Sequence, residues 1–213
     1  MEVETMTNGQ LFLVEGLDLA GKTTACKSLV SRFRPRIDIS RNAFAENNPL
    51  FKVADDLRRV DGLESKYLGH AYLAAAALDV DLYSPPINAR IQESTIALRS
   101  LCYYRARGNA ELAGSFARLL DDPSYPNFDD AVVLTASLDA RQERLEMRRR
   151  EAPEEVAPDD LAVIQTPELF CRMENILIDE MVIRYGAKVI DTTILSRTEV
   201  VDAIATAIAP ADS

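Results

Sequence analysis

The chain has 213 residues, 47% hydrophobic and 27% charged, with a formal net charge of −10 at pH 7. That length suits one α/β domain, or one with a small mobile insert. The acidic balance argues against broad nucleic-acid binding, which needs a basic face, and the longest apolar stretch, about residues 71–80, is too short to cross a bilayer.

Residues 1–10 are acidic and polar, without a basic-then-apolar leader, and read as a loosely packed lead-in. A soluble cytoplasmic protein is expected, with neither nucleic acid nor membrane as partner. Cys26, Cys102 and Cys171 are odd in number and lack metal-ligand spacing, so free thiols are expected. His70 is the only histidine, which argues against a histidine triad or a multi-histidine metal site.

The first strand is expected over 10–15, continuously apolar, as suits a strand buried on both faces of a parallel sheet. Next come Gly16, Leu17, Asp18, Leu19, Ala20, Gly21, Lys22 and Thr23, which fit G-x-x-x-x-G-K-[ST] without mismatch. A helix is expected over about 21–33, through Thr24. Strand, loop and helix in that order are the setting in which this pattern means a phosphate-binding loop. Small residues let successive N–H groups turn inward around a β-phosphate, and the helix N-terminus adds partial positive charge. Lys22 is placed to neutralise the β- and γ-phosphates of a nucleoside triphosphate, and the Thr23 hydroxyl to hold Mg²⁺.

Residues 36–40 alternate and predict a second strand, and 41–48 a loop before Pro49 opens a helix. Helices are expected over 49–60 and 63–82, the second stopped by Ser84-Pro85-Pro86. A third strand over 88–94 precedes helices over 95–107 and 110–120, a turn-rich loop over 121–129 and a strand over 131–135. Residues 138–150 predict a strongly basic helix, and 151–160 an exposed acidic loop with two prolines. One long helix or two over 161–185, a strand over 188–191 and a helix over 198–208 complete the chain. The alternation implies an α/β fold: a parallel sheet of about five strands, covered by helices on both faces.

Residues 12–24, Phe-Leu-Val-Glu-Gly-Leu-Asp-Leu-Ala-Gly-Lys-Thr-Thr, resemble the "FEG(I/L)DGAGKTT" loop of the thymidylate kinases, within the wider group of P-loop nucleoside and nucleotide kinases. The likeness continues at matching intervals. Ser40-Arg41 stands where that family has Thr-Arg. Residues 138–150 are similar to the start of its lid, and Ile190-Asp191-Thr192-Thr193 to its ending. The resemblance implies a P-loop kinase fold in one domain over 1–213, a short lid over about 139–160, and a homodimer formed through helices between 49 and 107. Two places depart from the family. Its Asp-Arg or Glu-Arg-Ser at the end of the third strand is replaced by Gln92-Glu93-Ser94, and its Glu-Pro-Gly by Asn42-Ala43-Phe44.

Candidate roles follow. Arg144, Arg148 and Arg149 lie on the basic helix, with 144 and 148 on one face; they either close over the phosphates or form a solvated basic face. Glu93 lies at a strand end facing the crevice where α/β folds bind ligands, as metal partner or proton acceptor, unless it caps the next helix. Asp18, by the resemblance, faces the acceptor sugar; its other reading is a turn-stabilising residue. Arg41 resembles the arginine that meets the acceptor phosphate, and Arg99 stands where deoxynucleoside kinases carry one. Tyr67, His70 and Tyr72 lie on one helix, where aromatic spacing suits core or interface better than a base pocket. The expected activity is transfer of the γ-phosphate of ATP to a nucleoside or nucleotide. A catalytically impaired nucleotide-binding regulator and a kinase with a non-nucleotide acceptor are the alternatives.

Overall fold

The computed structural model describes residues 9–33 and 37–208. The lead-in before residue 9 and the expected strand start at Arg36 lie outside the described residues. Among these, five parallel strands form one sheet: β1 (Leu11–Glu15), β2 (Ile37–Arg41), β3 (Ala89–Glu93), β4 (Asp130–Thr135) and β5 (Lys188–Asp191), in the order β2-β3-β1-β4-β5. The most apolar strand takes the centre. Leu11, Phe12, Leu13 and Val14 are all buried, each on a strand with neighbours on both sides.

The period of two along the strands divides the core into two layers. Leu11, Leu13, Ala131 and Val133 face one layer, built with α3 (Ser65–Asp81), α4 (Ile96–Ala106), α5 (Ala110–Leu120) and α8 (Pro167–Tyr185). Phe12, Val14, Ile91, Val132 and Leu134 face the other, under α1 (Lys22–Phe33) and α9 (Arg197–Ile208). The remaining helices are α2 (Pro49–Leu57), packed on α3, and α6 (Leu138–Glu151) and α7 (Ala162–Gln165), which meet each other.

Caps set several helix ends. The Asn48 side-chain oxygen accepts from the Leu50 and Phe51 amides at 3.1 Å, with Pro49 in the first helical position. Asn109 does the same for Leu112 at 3.1 Å and Ser137 for Ala140 at 3.2 Å, caps worth ~1 kcal/mol each. The helix expected to reach residue 60 stops at Leu57. Beyond it, Arg59 and Val60 donate three residues back, to Asp56 and Leu57 at 3.1 Å, so the chain leaves the helix in turns. The stretch 161–185 is two helices, broken where Pro167 cannot continue the hydrogen-bond ladder. The acidic stretch 151–160 departs from the exposed loop expected. It holds two 3₁₀ turns, Pro153–Glu155 and Pro158–Leu161, and its Asp160 is buried, accepting from Arg148 Nη1 at 2.8 Å and from the Ala157 amide at 2.9 Å.

All three cysteines are free, Cys26 and Cys102 buried with their thiols pushed up by burial, Cys171 half-buried. Among the described residues no helix is long and apolar enough to cross a membrane.

Gly69 lets α3 lie against α4 and α5. A Cβ there would sit 2.5 Å from Leu112 Cδ1 and 2.8 Å from the Tyr104 ring, whose hydroxyl donates to the Ser65 carbonyl. Gly69→Ala is expected to lower the unfolding free energy by about 1–3 kcal/mol in urea titration, the usual range for overpacking. An unchanged midpoint would show that the two helices can part without cost.

Candidate active site

The site gathers at the C-terminal ends of β1 and β3. Glu15, the last residue of β1, is fully buried. It accepts from the Gly16 amide at 3.2 Å, the Ser94 hydroxyl at 3.0 Å and the Thr95 amide at 2.9 Å. Burial pushes its carboxyl up, while the charges of Arg99 and Lys22 pull it back. Thr95 in turn caps α4, so a single carboxylate joins the phosphate-loop start to the turn after β3.

From Gly16 the loop folds under tight constraint. Gly16 has φ +148°, and a Cβ there would lie 2.4 Å from the Leu134 carbonyl oxygen, so only glycine fits. Leu17, Leu19 and Ala20 bury their side chains in the two apolar layers. Among the described residues, the backbone N–H groups of Leu19, Gly21, Lys22 and Thr23 find no acceptor, the usual state of a helix start that can bind an anion. Lys22 is 8% exposed; burial, then Arg99, lowers its ammonium below the ordinary lysine value, with Asp18, Glu15 and Glu93 pulling upward.

Thr23 donates its hydroxyl to Glu93 Oε1 at 2.5 Å. Glu93 is 2% exposed, and it points at the loop instead of capping the next helix, a role Thr95 takes with the Leu98 amide. The β2–β3 register sets Arg41 opposite Glu93, and Arg41 Nε lies 3.5 Å from the same Oε1. An acid and an arginine therefore stand side by side, although the arginine comes from the neighbouring strand. Gln92 turns the other way, accepting from Ser40 at 2.6 Å and donating to the Ser94 carbonyl at 2.6 Å.

Arg99 reaches back from α4 to the Gly16 carbonyl at 2.6 Å and to Asp18 Oδ2 at 3.4 Å. From α6, Arg144 donates to the Leu19 carbonyl at 2.9 Å and to Thr192. Arg148 pairs with Asp160, and Arg149 with Glu146 at 2.7 Å on an exposed face, so neither touches the loop in this conformation. The basic helix also carries Arg141, which the sequence reading passed over. It lies fully buried against the loop, with donors to the Asp18 and Ala136 carbonyls and to Glu174. Its i, i+3 and i+7 spacing with Arg144 and Arg148 was the signal available.

Opposite the loop, Asp79 of α3 accepts from the Phe44 amide at 2.6 Å, the Ala45 amide at 3.0 Å and Asn48 Nδ2 at 3.3 Å, fixing the β2–α2 connection. Phe44 packs edge-on to Tyr83 and Tyr125. Arg58 at the end of α2 meets Asp159 at 2.6 Å, tying α2 to the acidic segment after α6. His70 and Tyr67 are exposed on α3, and Tyr72 packs on Phe51.

Burial alone would raise the Asp18 carboxyl, but Arg99 and Lys22 outweigh it and hold it below its ordinary value of 3.8. A carboxylate held down in this way adds stability that is complete above the unfolded value and disappears as pH falls through the folded one. The stability difference between wild type and Asp18→Asn is therefore expected to be constant above roughly pH 5 and to shrink below pH 3.8. Urea unfolding of both proteins across that range checks it, and a difference that persists unchanged into acid would overturn the pairing.

No family model and no curated protein matches the sequence. Solved structures do. The thymidylate kinase of Candida albicans is 16% identical over 92% of this chain and 89% of its own, with a TM-score of 0.65. The thymidylate kinase of Ehrlichia chaffeensis is 15% identical over 94% and 98%, at 0.61. A deoxyadenosine kinase of M. mycoides, solved with bound dCTP, is 14% identical over 92% and 97%, at 0.57. What these likenesses establish is architecture: the chain has the P-loop kinase fold that thymidylate kinases and this deoxyadenosine kinase share.

Proposed function

We propose that this protein is a kinase that moves the γ-phosphate of ATP to a nucleoside or nucleotide. The observation that carries the reading is the meeting of Thr23 and Glu93 at 2.5 Å at the mouth of the phosphate loop, with Arg41 3.5 Å from the same carboxylate. The fold shared with nucleoside and nucleotide kinases supports it.

Mg²⁺ fits these residues, because a hydroxyl and a carboxylate supply the hard oxygens it prefers. Thr23 and Glu93 are the residues that would hold the ion. Bound there, it offsets the negative charge of the β- and γ-phosphates. The protein's work is positioning and charge neutralisation. The free amides of the loop cradle the phosphates, and Lys22 spans the β- and γ-groups. The acceptor oxygen forms the new O–P bond as the bond from the γ-phosphorus to the bridging oxygen breaks; a nucleoside hydroxyl passes its proton to the Glu93 carboxylate, whereas the phosphate oxygen of a nucleotide attacks already ionised. ADP leaves with the bridging oxygen.

Arg41 takes the place of the arginine absent from Gln92-Glu93-Ser94 and faces the acceptor. Asp18 faces the acceptor sugar, with Arg99 orienting it. The whole chain acts as one domain, in which the lid over residues 139–160 stays anchored at Arg141 and closes over the donor at its far end; Arg144 supplies a cation from beside the loop, and Arg148 and Arg149 exchange Asp160 and Glu146 for phosphate oxygens. The reading includes a cytoplasmic location, no nucleic-acid or membrane partner, and a homodimer.

Lys22→Ala is expected to cut phosphoryl transfer by at least about 10³-fold with the circular dichroism spectrum unchanged. Turnover would be read as ADP release against a panel of deoxynucleosides and their monophosphates. Tight ATP binding by the wild type with no acceptor-dependent turnover in that panel would overturn the enzyme reading and favour a regulator. For the dimer, exposed Leu50 and Val53 on α2, Val60 in the turn after it and Tyr67 at the start of α3 form the contact. Val60→Arg with Tyr67→Arg is expected to halve the mass seen by sedimentation equilibrium, and a wild type that sediments as a monomer rules the dimer out.

A further inference from the structure

The carbonyls of the phosphate loop are engaged one after another. The Gly16 oxygen accepts from Arg99 Nη1 at 2.6 Å, Leu17 from the Ala20 amide at 3.3 Å, and Asp18 from Arg141 Nη1. Leu19 accepts from Arg144 Nη1 at 2.9 Å, and Ala20 from the Thr192 hydroxyl at 3.1 Å. A trans peptide sends its C=O and the next N–H to opposite sides. Holding the Asp18 and Ala20 carbonyls outward therefore turns the Leu19 and Gly21 amides inward, and these are two of the amides without an acceptor. Leu19 also has φ +63°, a left-handed conformation that a leucine keeps only where its surroundings enforce it. The two grips that flank it, on its own carbonyl and on that of Asp18, provide that enforcement.

Arg141 differs from the other cations around the loop. Its side chain is 0% exposed, it donates from Nε to the Ala136 carbonyl at 3.0 Å and from Nη2 to Glu174, and its guanidinium lies 5.0 Å from the Phe170 ring centre. A cation so far from water persists only when paired and hydrogen-bonded. Locked between α6 and α8, it cannot swing out to follow a phosphate. We propose that Arg141 is a positioning residue: through the Asp18 carbonyl it holds the phosphate loop in its anion-ready form before any ligand arrives, with Glu174 and Phe170 fixing the guanidinium. The purpose of this grip rests on reading the loop as the donor site, but the grip itself can be tested without nucleotide.

The test uses Arg141→Lys, Arg141→Met and Glu174→Gln in the full chain. The first readout is hydrogen–deuterium exchange of the peptide covering residues 16–23 in nucleotide-free protein, against peptides from α5 and β4. The second is calorimetric binding of inorganic tripolyphosphate and of ATP. Both Arg141 variants are expected to raise loop exchange and weaken tripolyphosphate binding by about tenfold, the scale of one charge-assisted hydrogen bond, with α5 and β4 little changed. Glu174→Gln keeps the volume and one oxygen acceptor, and is expected to fall between them and wild type. Exchange that is unchanged, or that rises equally along the chain, overturns the proposal and leaves Arg141 a packing residue. Should Arg141→Met not fold, the other two variants decide. If wild type binds neither tripolyphosphate nor ATP, the functional reading falls, while the exchange measurement still decides the grip.

Discussion

The buried carboxylate of Glu15 is the constraint on which this site turns. A charge with no access to water must be answered by donors, and Glu15 finds three at once: the amide that begins the phosphate loop, the amide that begins α4, and the Ser94 hydroxyl between them. The ends of β1 and β3 are thereby set in one geometry. Lys22 and Thr23 stand on one side of that junction, Glu93 and Arg99 on the other. The ladder alone would allow the strand ends to fray; the buried acid does not.

Cations collect around this junction in a chain whose formal net charge is −10. Lys22, Arg41, Arg99, Arg141 and Arg144 all converge on it, against Glu15, Asp18, Glu93 and Glu174. The surplus of acid lies elsewhere, while the loop proposed to take phosphates has its own local field. Net charge thus describes the surface and says little about the pocket.

Much of this was legible in the sequence because the signals were local. Ala110–Leu120 and Lys188–Asp191 fall where periodicity and flanking residues put them, and the G-x-x-x-x-G-K-[ST] pattern lies between a strand and a helix as its context predicts. What stayed hidden depends on partners far along the chain. Gln92-Glu93-Ser94 carries no arginine of its own, and the one that stands beside Glu93, Arg41, is brought near only by the β2–β3 register. Residues 138–150 read as one strongly basic helix, yet the fold sorts its arginines. Arg141 goes inward because Glu174, 33 residues later, waits for it, whereas Arg149 stays outside with Glu146. Asp160 looked like loop filler, and its burial follows from Arg148, which sits on a different element.

The loop's carbonyl grips also give the molecule an order of assembly. Residues 16–21 precede all of their partners in sequence, which are widely spread: Arg99, then Arg141 and Arg144, and last Thr192. Central strand β1 likewise has to wait for β3 and β4, whose register partners begin at Arg90 and Asp130. Contacts so distant in sequence form slowly and demand loop closure before they return any stability. The loop is therefore made before the side chains that shape it, and its carbonyls are all held only once Thr192 has joined the fold.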